Sequence, residues 1–158
     1  MANTQSMCTS FMGELMTATH NFGVAPTRGT SAADTFKAAL YLASATINAS
    51  TTVYTATGEV SGSGYAAGGV AVTNATPPTA TNSSATAGVA FFTPSASLTY
   101  TTVTLATAFD TVLIYNSSQS NKAVSVHTFG SQTITAGTFT LTMPSNTTTT
   151  ALLRLSTT

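Results

Sequence analysis

Hydrophobic positions alternate with polar ones along most of the chain, and the alternation predicts a succession of short strands. Residues 36–42 place Phe36, Ala38, Leu40 and Leu42 on one face and Lys37, Ala39 and Tyr41 on the other, the period of two that marks a strand. Ala and Leu also permit a short helix there, but the Thr-rich sequel extends no helical stripe. Short strands follow at 70–74 and at 89–93, the latter stopped by Pro94. Residues 98–106 alternate Leu98, Tyr100, Thr102 and Thr104 with Thr99, Thr101, Val103 and Leu105. The run 111–115 is apolar on both faces, which predicts a central strand. A turn of six polar residues, 116–121, is slightly long for a tight hairpin and leads into 123–129, where Val124 and Val126 share a face. Residues 132–143 carry Ile134, Phe139, Leu141 and Met143, with Ala136-Gly137 breaking the register as a turn or bulge would. A final strand covers 151–155. Eight or nine short antiparallel strands with regular turn signals predict an all-β fold, a β-sandwich or jelly roll.

One segment departs from this period. Cys8, Phe11, Met12, Leu15, Met16 and Thr19 follow i, i+3, i+4 spacing and predict an amphipathic helix over 4–20. Thr4 or Ser6 is the expected cap, and His20, Asn21 and Gly23 are the expected stop signals. The helix either covers one end of a β core or docks on a neighbouring subunit, and spacing does not separate the two. The chain thus divides into an N-terminal helix or arm, 1–23, and a β-sandwich domain, 24–158. Residues 24–33 and 75–88 read as loops. The stretch 55–69 holds five glycines, at 58, 62, 64, 68 and 69, and reads as a turn-rich crossing. It matches neither a dinucleotide loop, whose strand–turn–helix context is missing, nor a nucleophile elbow.

Composition sharpens the fold and empties the list of chemistries. Only 5% of residues are charged, against about 25% in typical soluble domains, and β-branched threonine favours strands. Net charge is zero and the pI is about 6.7, so the basic footprint of a nucleic-acid binder is missing. A surface so weakly charged promotes self-association, which points to a chain covered in an assembly; the alternative is a surface solubilised by hydroxyls alone. The N-terminus lacks the basic and apolar regions of a signal peptide, and no apolar run reaches the roughly 20 residues of a membrane span.

The four carboxylates, Glu14, Asp34, Glu59 and Asp110, lie far apart in sequence, with nothing to mark a glycosidase pair. Two histidines and one cysteine have no zinc-ligand spacing. His127 reads as a sheet-face residue and Cys8 as a small buried hydrophobe. Asp110 and Lys122 bracket the hairpin and are placed to pair across its mouth. The expectation is a protein that is not an enzyme, with no cofactor, no metal, no small-molecule substrate, no nucleic acid and no membrane.

Four segments carry a resemblance: Met7-Cys-Thr-Ser-Phe-Met-Gly-Glu-Leu15, Thr35-Phe-Lys-Ala-Ala-Leu-Tyr41, the glycine-rich 58–69, and Leu113-Ile-Tyr-Asn-Ser-Ser-Gln-Ser-Asn-Lys-Ala-Val124. In the same order, and over nearly the whole chain, they resemble a group of small tailed-bacteriophage proteins encoded among virion genes. The resemblance implies a virion component present in many copies and assembled in the host bacterial cytoplasm. It implies a capsid decoration or cement protein whose partners are the major capsid protein and copies of itself. The alternative is a tail or neck component, a fibre or adsorption module contacting the host surface. The candidate contact residues are Phe11, Met12, Leu15 and Met16 on the helix, and Asn116, Gln119 and Asn121 in the polar turn.

Overall fold

A computed structural model describes residues 3–16, 18–22, 33–75, 77–81 and 88–156. Among them are β1 (Ser6–Met7), α1 (Thr9–Met16), β2 (Phe36–Leu42), β3 (Val70–Val72), β4 (Thr79–Ala80), β5 (Val89–Phe92), β6 (Leu98–Asn116), β7 (Lys122–Leu141) and β8 (Leu153–Ser156). They form a five-stranded sheet, β1-β7-β6-β2-β3, and a three-stranded sheet, β4-β5-β8. Every pairing is antiparallel. The chain is an all-β sandwich, with one short helix among the described residues. The expected loop at 24–33 lies outside the described residues except Ala33. The expected loop at 75–88 proves to hold β4 at 79–80, while 76 and 82–87 lie outside the described residues.

Strand lengths differ from the pattern-based expectation. The strands expected at 98–106 and 111–115 are one strand of 19 residues, and those at 123–129 and 132–143 merge into one of 20. At roughly 3.3 Å per residue each spans about 60 Å. Register shifts interrupt their pairing between Tyr100 and Val103, Val103 and Leu105, Leu105 and Phe109, and Phe109 and Thr111. Thr102 (φ 53°) and Ala136 (φ 47°) take left-handed backbone among these breaks. Each bulge flips the inside–outside alternation, so a continuous strand reads as two. The bulge expected at Ala136-Gly137 is present. The turn expected at 116–121 is present too, with Ser120 (φ 53°) and Asn121 (φ 59°) left-handed.

The N-terminal segment needs correction. Helix covers 9–16 rather than 4–20, because Ser6 and Met7 pair with Val126 and Ser125 at the open edge of β7. Cys8 N donates to Val124 O at 3.1 Å and Thr9 N to Ala49 O at 2.9 Å. Satisfying sheet edges outweighs the weak helical preference of residues 4–8. Neither Thr4 nor Ser6 caps the helix; Ser6 Oγ instead reaches Thr4 O. The helix stops at Ala18 (φ 53°), where Ala18 N donates to Leu15 O and Thr19 N to Glu14 O. That pair of bonds is a Schellman turn, which usually places glycine at the left-handed position.

The buried core is built on the large sheet, from β2, β3, β6 and β7 with Cys8 and Phe11 of the N-terminal segment and Ala45, Ile47 and Val60 of the chain between β2 and β3. Strand β2 and the 111–116 end of β6 are buried on both faces, including Thr111 and Asn116 at 0% exposure. A ladder of rings joins the two sheets: Phe36 on β2 stacks on Phe22 at 4.4 Å, and Phe22 meets Phe92 on β5 at 5.1 Å. The glycine-rich crossing lies against the large sheet, as its composition predicts. At Gly69 (φ +74°) a Cβ would land on the Ala38 carbonyl, so only glycine allows the approach.

Candidate functional site

The Schellman turn after α1 brings His20 and Asn21 to the tip of the β6–β7 hairpin, and four parts of the chain meet there. Asn116 Nδ2 stands 3.1 Å from His20 Nδ1 and 2.8 Å from Asp34 Oδ2, and a carboxamide nitrogen carries a hydrogen for each. His20 Nδ1 is therefore the acceptor, and its proton sits on Nε2, 2.7 Å from Glu14 Oε2. The other Glu14 oxygen accepts from Lys122 Nζ at 2.7 Å. Asp34 also accepts from Asn21 N at 2.8 Å and from Gln119 Nε2 at 3.0 Å. Burial by itself would raise the Glu14 pKa, but the bonds from Lys122 and His20 win and hold it below the usual value. Burial pushes His20 down, against the pull of Glu14. The network fastens the arm to the hairpin.

The two groups of sequence-predicted contact residues therefore lie side by side, though several face inward. Phe11 is 2% exposed and packs edge-on against His20 at 4.8 Å and Phe22 at 5.9 Å. Asn116 is 0% exposed and committed to the network. Both belong to the interior of this chain rather than to its surface. Leu15 is half-buried, Gln119 is half-buried and bonded to Asp34, and Asn121 is exposed. Met12 is 50% exposed. Met16 ends the helix, and its side chain lies outside the described residues.

Asp110 and Lys122 do not pair. Lys122 sits opposite Asn116 in register, six positions beyond Asp110 on β6, and reaches Glu14 instead. Asp110 Oδ1 accepts from Asn3 Nδ2 at 2.9 Å and from Thr111 Oγ1 at 2.7 Å. His127 is half-buried, with Nε2 2.9 Å from Ser125 Oγ, and burial lowers its pKa to about 4. Cys8 is fully buried; burial first, and the nearby Glu14 carboxylate second, raise its thiol to about 11. A thiol so protonated is inert.

A second cluster went unseen in the sequence. Glu59, in the glycine-rich crossing, accepts from Tyr54 OH at 2.6 Å, Tyr65 OH at 2.7 Å and Gly68 N at 2.7 Å. The other phenols close around it: Tyr115 OH donates to Gly68 O at 2.9 Å, Tyr41 OH to Thr55 O at 2.5 Å and Tyr100 OH to Ala38 O at 2.8 Å. All five tyrosines of the chain are thereby used. Tyr54 and Tyr115 stack at 4.8 Å. Burial raises every one of these phenols, and the Glu59 charge adds to it, with Tyr54 pushed up to about 12. The carboxylate clamps the crossing to the sheet. The one available signal was an acidic residue between two tyrosines in a glycine-rich stretch.

Openings remain on the surface of the described residues. A groove of about 90 Å³ between α1 and the small sheet is lined by apolar side chains, among them Met7, Phe11, Leu15, Phe22, Phe92 and Leu153. A wider cleft of about 310 Å³ runs between β1 and the 151–154 segment, past Ser125, His127 and Arg154. Among the described residues no three His, Cys, Asp or Glu side chains are placed to hold a metal ion. No described helix is long and apolar enough to cross a membrane. The chain matches no protein-family model, no curated protein and no solved structure.

Proposed function

We propose that the chain is a non-enzymatic structural protein of a tailed-bacteriophage virion, a decoration or cement protein bound in many copies to the shell of major capsid protein. The observation that carries the reading is how the fold uses its polar groups. Glu14, His20, Asp34, Asn116 and Lys122 hold the arm to the hairpin, and Glu59 holds the crossing. Among the described residues the open surface is mostly hydroxyls and scattered apolar side chains such as Met12 and Leu155, with Arg154 exposed beside them. Such a surface suits a broad protein contact more than turnover of a small molecule. Modest contacts repeated over a symmetric shell reach high avidity without a deep pocket. The four resembling segments supply the phage context. Of the expected contacts, Met12, Leu15, Gln119 and Asn121 keep solvent-accessible side chains and are the ones assigned to partners.

Copy number tests this reading. Quantified against the major capsid protein in purified particles, the chain is expected in hundreds of copies, spread over the shell in electron micrographs. A count in the tens or fewer, confined to one vertex, overturns it in favour of a tail or neck component.

A further inference from the structure

β6 and β7 form a ribbon whose two outer edges are treated differently. Over 98–105 the outer side of β6 is guarded by the glycine-rich crossing: Thr104 N donates to Ser63 O at 2.8 Å, and Gly62 and Gly64 lie against the carbonyls of Thr104 and Thr102. The outer side of β7 is covered by β1 only at Ser125 and Val126. Beyond these, no strand among the described residues pairs with it. We propose that the outer edge of β7 over 137–141 pairs, antiparallel and across a two-fold axis, with the same edge of a second copy of this chain.

Three properties of the edge point to that occupant. From Ala123 to Met143 the chain has no Lys, Arg, Asp, Glu or Pro, the residues that keep exposed edges apart. The stretch Thr138-Phe-Thr-Leu-Thr-Met143 is instead β-branched, aromatic and uncharged, the composition of segments that bind their own kind. An edge without charge meets a copy of itself with no repulsion, and it offers no charge that would select a different partner.

The side chains are placed for continuation of the core. Phe139 and Leu141 are only half-buried against it, with Phe139 ringed by Tyr100, Phe109 and Phe129 at 5.1–6.0 Å. A two-fold partner would cover their open sides, while exposed Thr138 and Thr140 face away on the other side of the ribbon. The other sheet edges are poorer mates. β1 and β4 have two residues each, β3 has three, and β8 has four with Arg154 among them.

The same geometry limits the assembly. The left-handed bulge at Ala136 bends the strand at one end of the free stretch, and Pro144 ends it at the other. Each copy has one such stretch, so two-fold pairing consumes both and closes as a dimer instead of growing into a fibre.

Sedimentation of the purified full chain tests this, separately from any particle count. Wild type is expected at twice the 16.0 kDa chain mass at about 10 µM, with a reversible shift on dilution. Replacing Thr138 and Thr140 together by Lys should leave circular dichroism unchanged and give a monomer. Mixing that protein with the Thr138→Glu, Thr140→Glu form should restore a dimer of one copy of each. Hydrogen exchange of wild type reads the same edge without any substitution, with amides in 137–141 exchanging more slowly at high than at low concentration. A monomeric wild type overturns the proposal. So does a dimer that survives in a folded lysine variant, or exchange at 137–141 that ignores concentration.

Discussion

Replacing Glu59 by Ala tests whether one carboxylate holds the glycine-rich crossing. The substitution removes the acceptor of Tyr54 OH, Tyr65 OH and Gly68 N, at 2.6, 2.7 and 2.7 Å. A hydrogen bond to a charged group contributes about 1.5–3 kcal/mol, but three bonds to one carboxylate do not add in full. Glu59 is half-exposed, so water can replace part of what is lost. The expected loss is about 3–4 kcal/mol, or roughly 6–16 °C in Tm for a chain of this size. Glu59→Gln keeps one acceptor oxygen but turns an amide donor toward a phenol, for an intermediate loss of about 1–2 kcal/mol. The assay is equilibrium urea unfolding followed by far-ultraviolet circular dichroism, with the slope held equal among variants. Adding Tyr65→Phe to Glu59→Ala should cost less than the sum of the two single changes, because the shared bond is already gone. A loss for Glu59→Ala within about 1 kcal/mol of zero would refute the clamp, since it would mean that water serves the phenols equally well.

Four further outcomes follow from particular residues. Ala18→Gly relieves left-handed backbone at the Schellman turn (φ 53°) and should stabilise the chain by about 0.5–1 kcal/mol, read as a higher urea midpoint. His127 binds its proton at about 4 when folded and at 6.5 when unfolded, so the unfolded chain takes up more protons in between. Stability is then full above 6.5 and falls as pH drops through that window, by up to about 2–3 kcal/mol after allowance for partial exposure; His127→Gln should flatten the loss in acid unfolding curves. The tyrosines shift the other way, with folded values above the usual 10, so their contribution is full below 10 and lost as pH rises through the folded values. With no tryptophan to interfere, absorbance near 295 nm should show phenolate appearing only as the chain unfolds. Gly69→Ala forces a Cβ onto the Ala38 carbonyl and should cost more than about 3 kcal/mol, seen as loss of soluble folded protein.

The legible parts of the fold were those with an uninterrupted period. β2, at 36–42, is legible from its period of two, which favours a strand over the short helix that Ala and Leu also permit. β6 and β7 were found but split, because the breaks near Thr102, Phe109 and Ala136 reset the alternation where pairing continues. The helix is shorter than its stripe suggests since Ser6 suits a helix cap as well as a sheet edge, and only a partner 120 residues away decides between them. The sites were less legible still. His20 and Asn116 meet across 96 residues, and Glu14 and Lys122 across 108. Tyr41, Tyr54, Tyr65, Tyr100 and Tyr115 share no spacing. Local pattern carries no trace of such contacts, because the bulged ribbon and the close glycine crossing create them.

The position of the β6–β7 ribbon in the chain bears on how the protein is made. Ribosomes release the chain from its N-terminus, so the first 97 residues emerge before the ribbon exists. β1 is then without the strand it pairs with, and β2 has only the three residues of β3 beside it. Formation of the large sheet therefore waits for the hairpin, whose own strands are joined by the short 117–121 tip and can close locally. The earlier segments must stay soluble through that interval. Their polar filling of Thr, Ser, Asn and Gly keeps the waiting chain from collapsing on others before its template arrives.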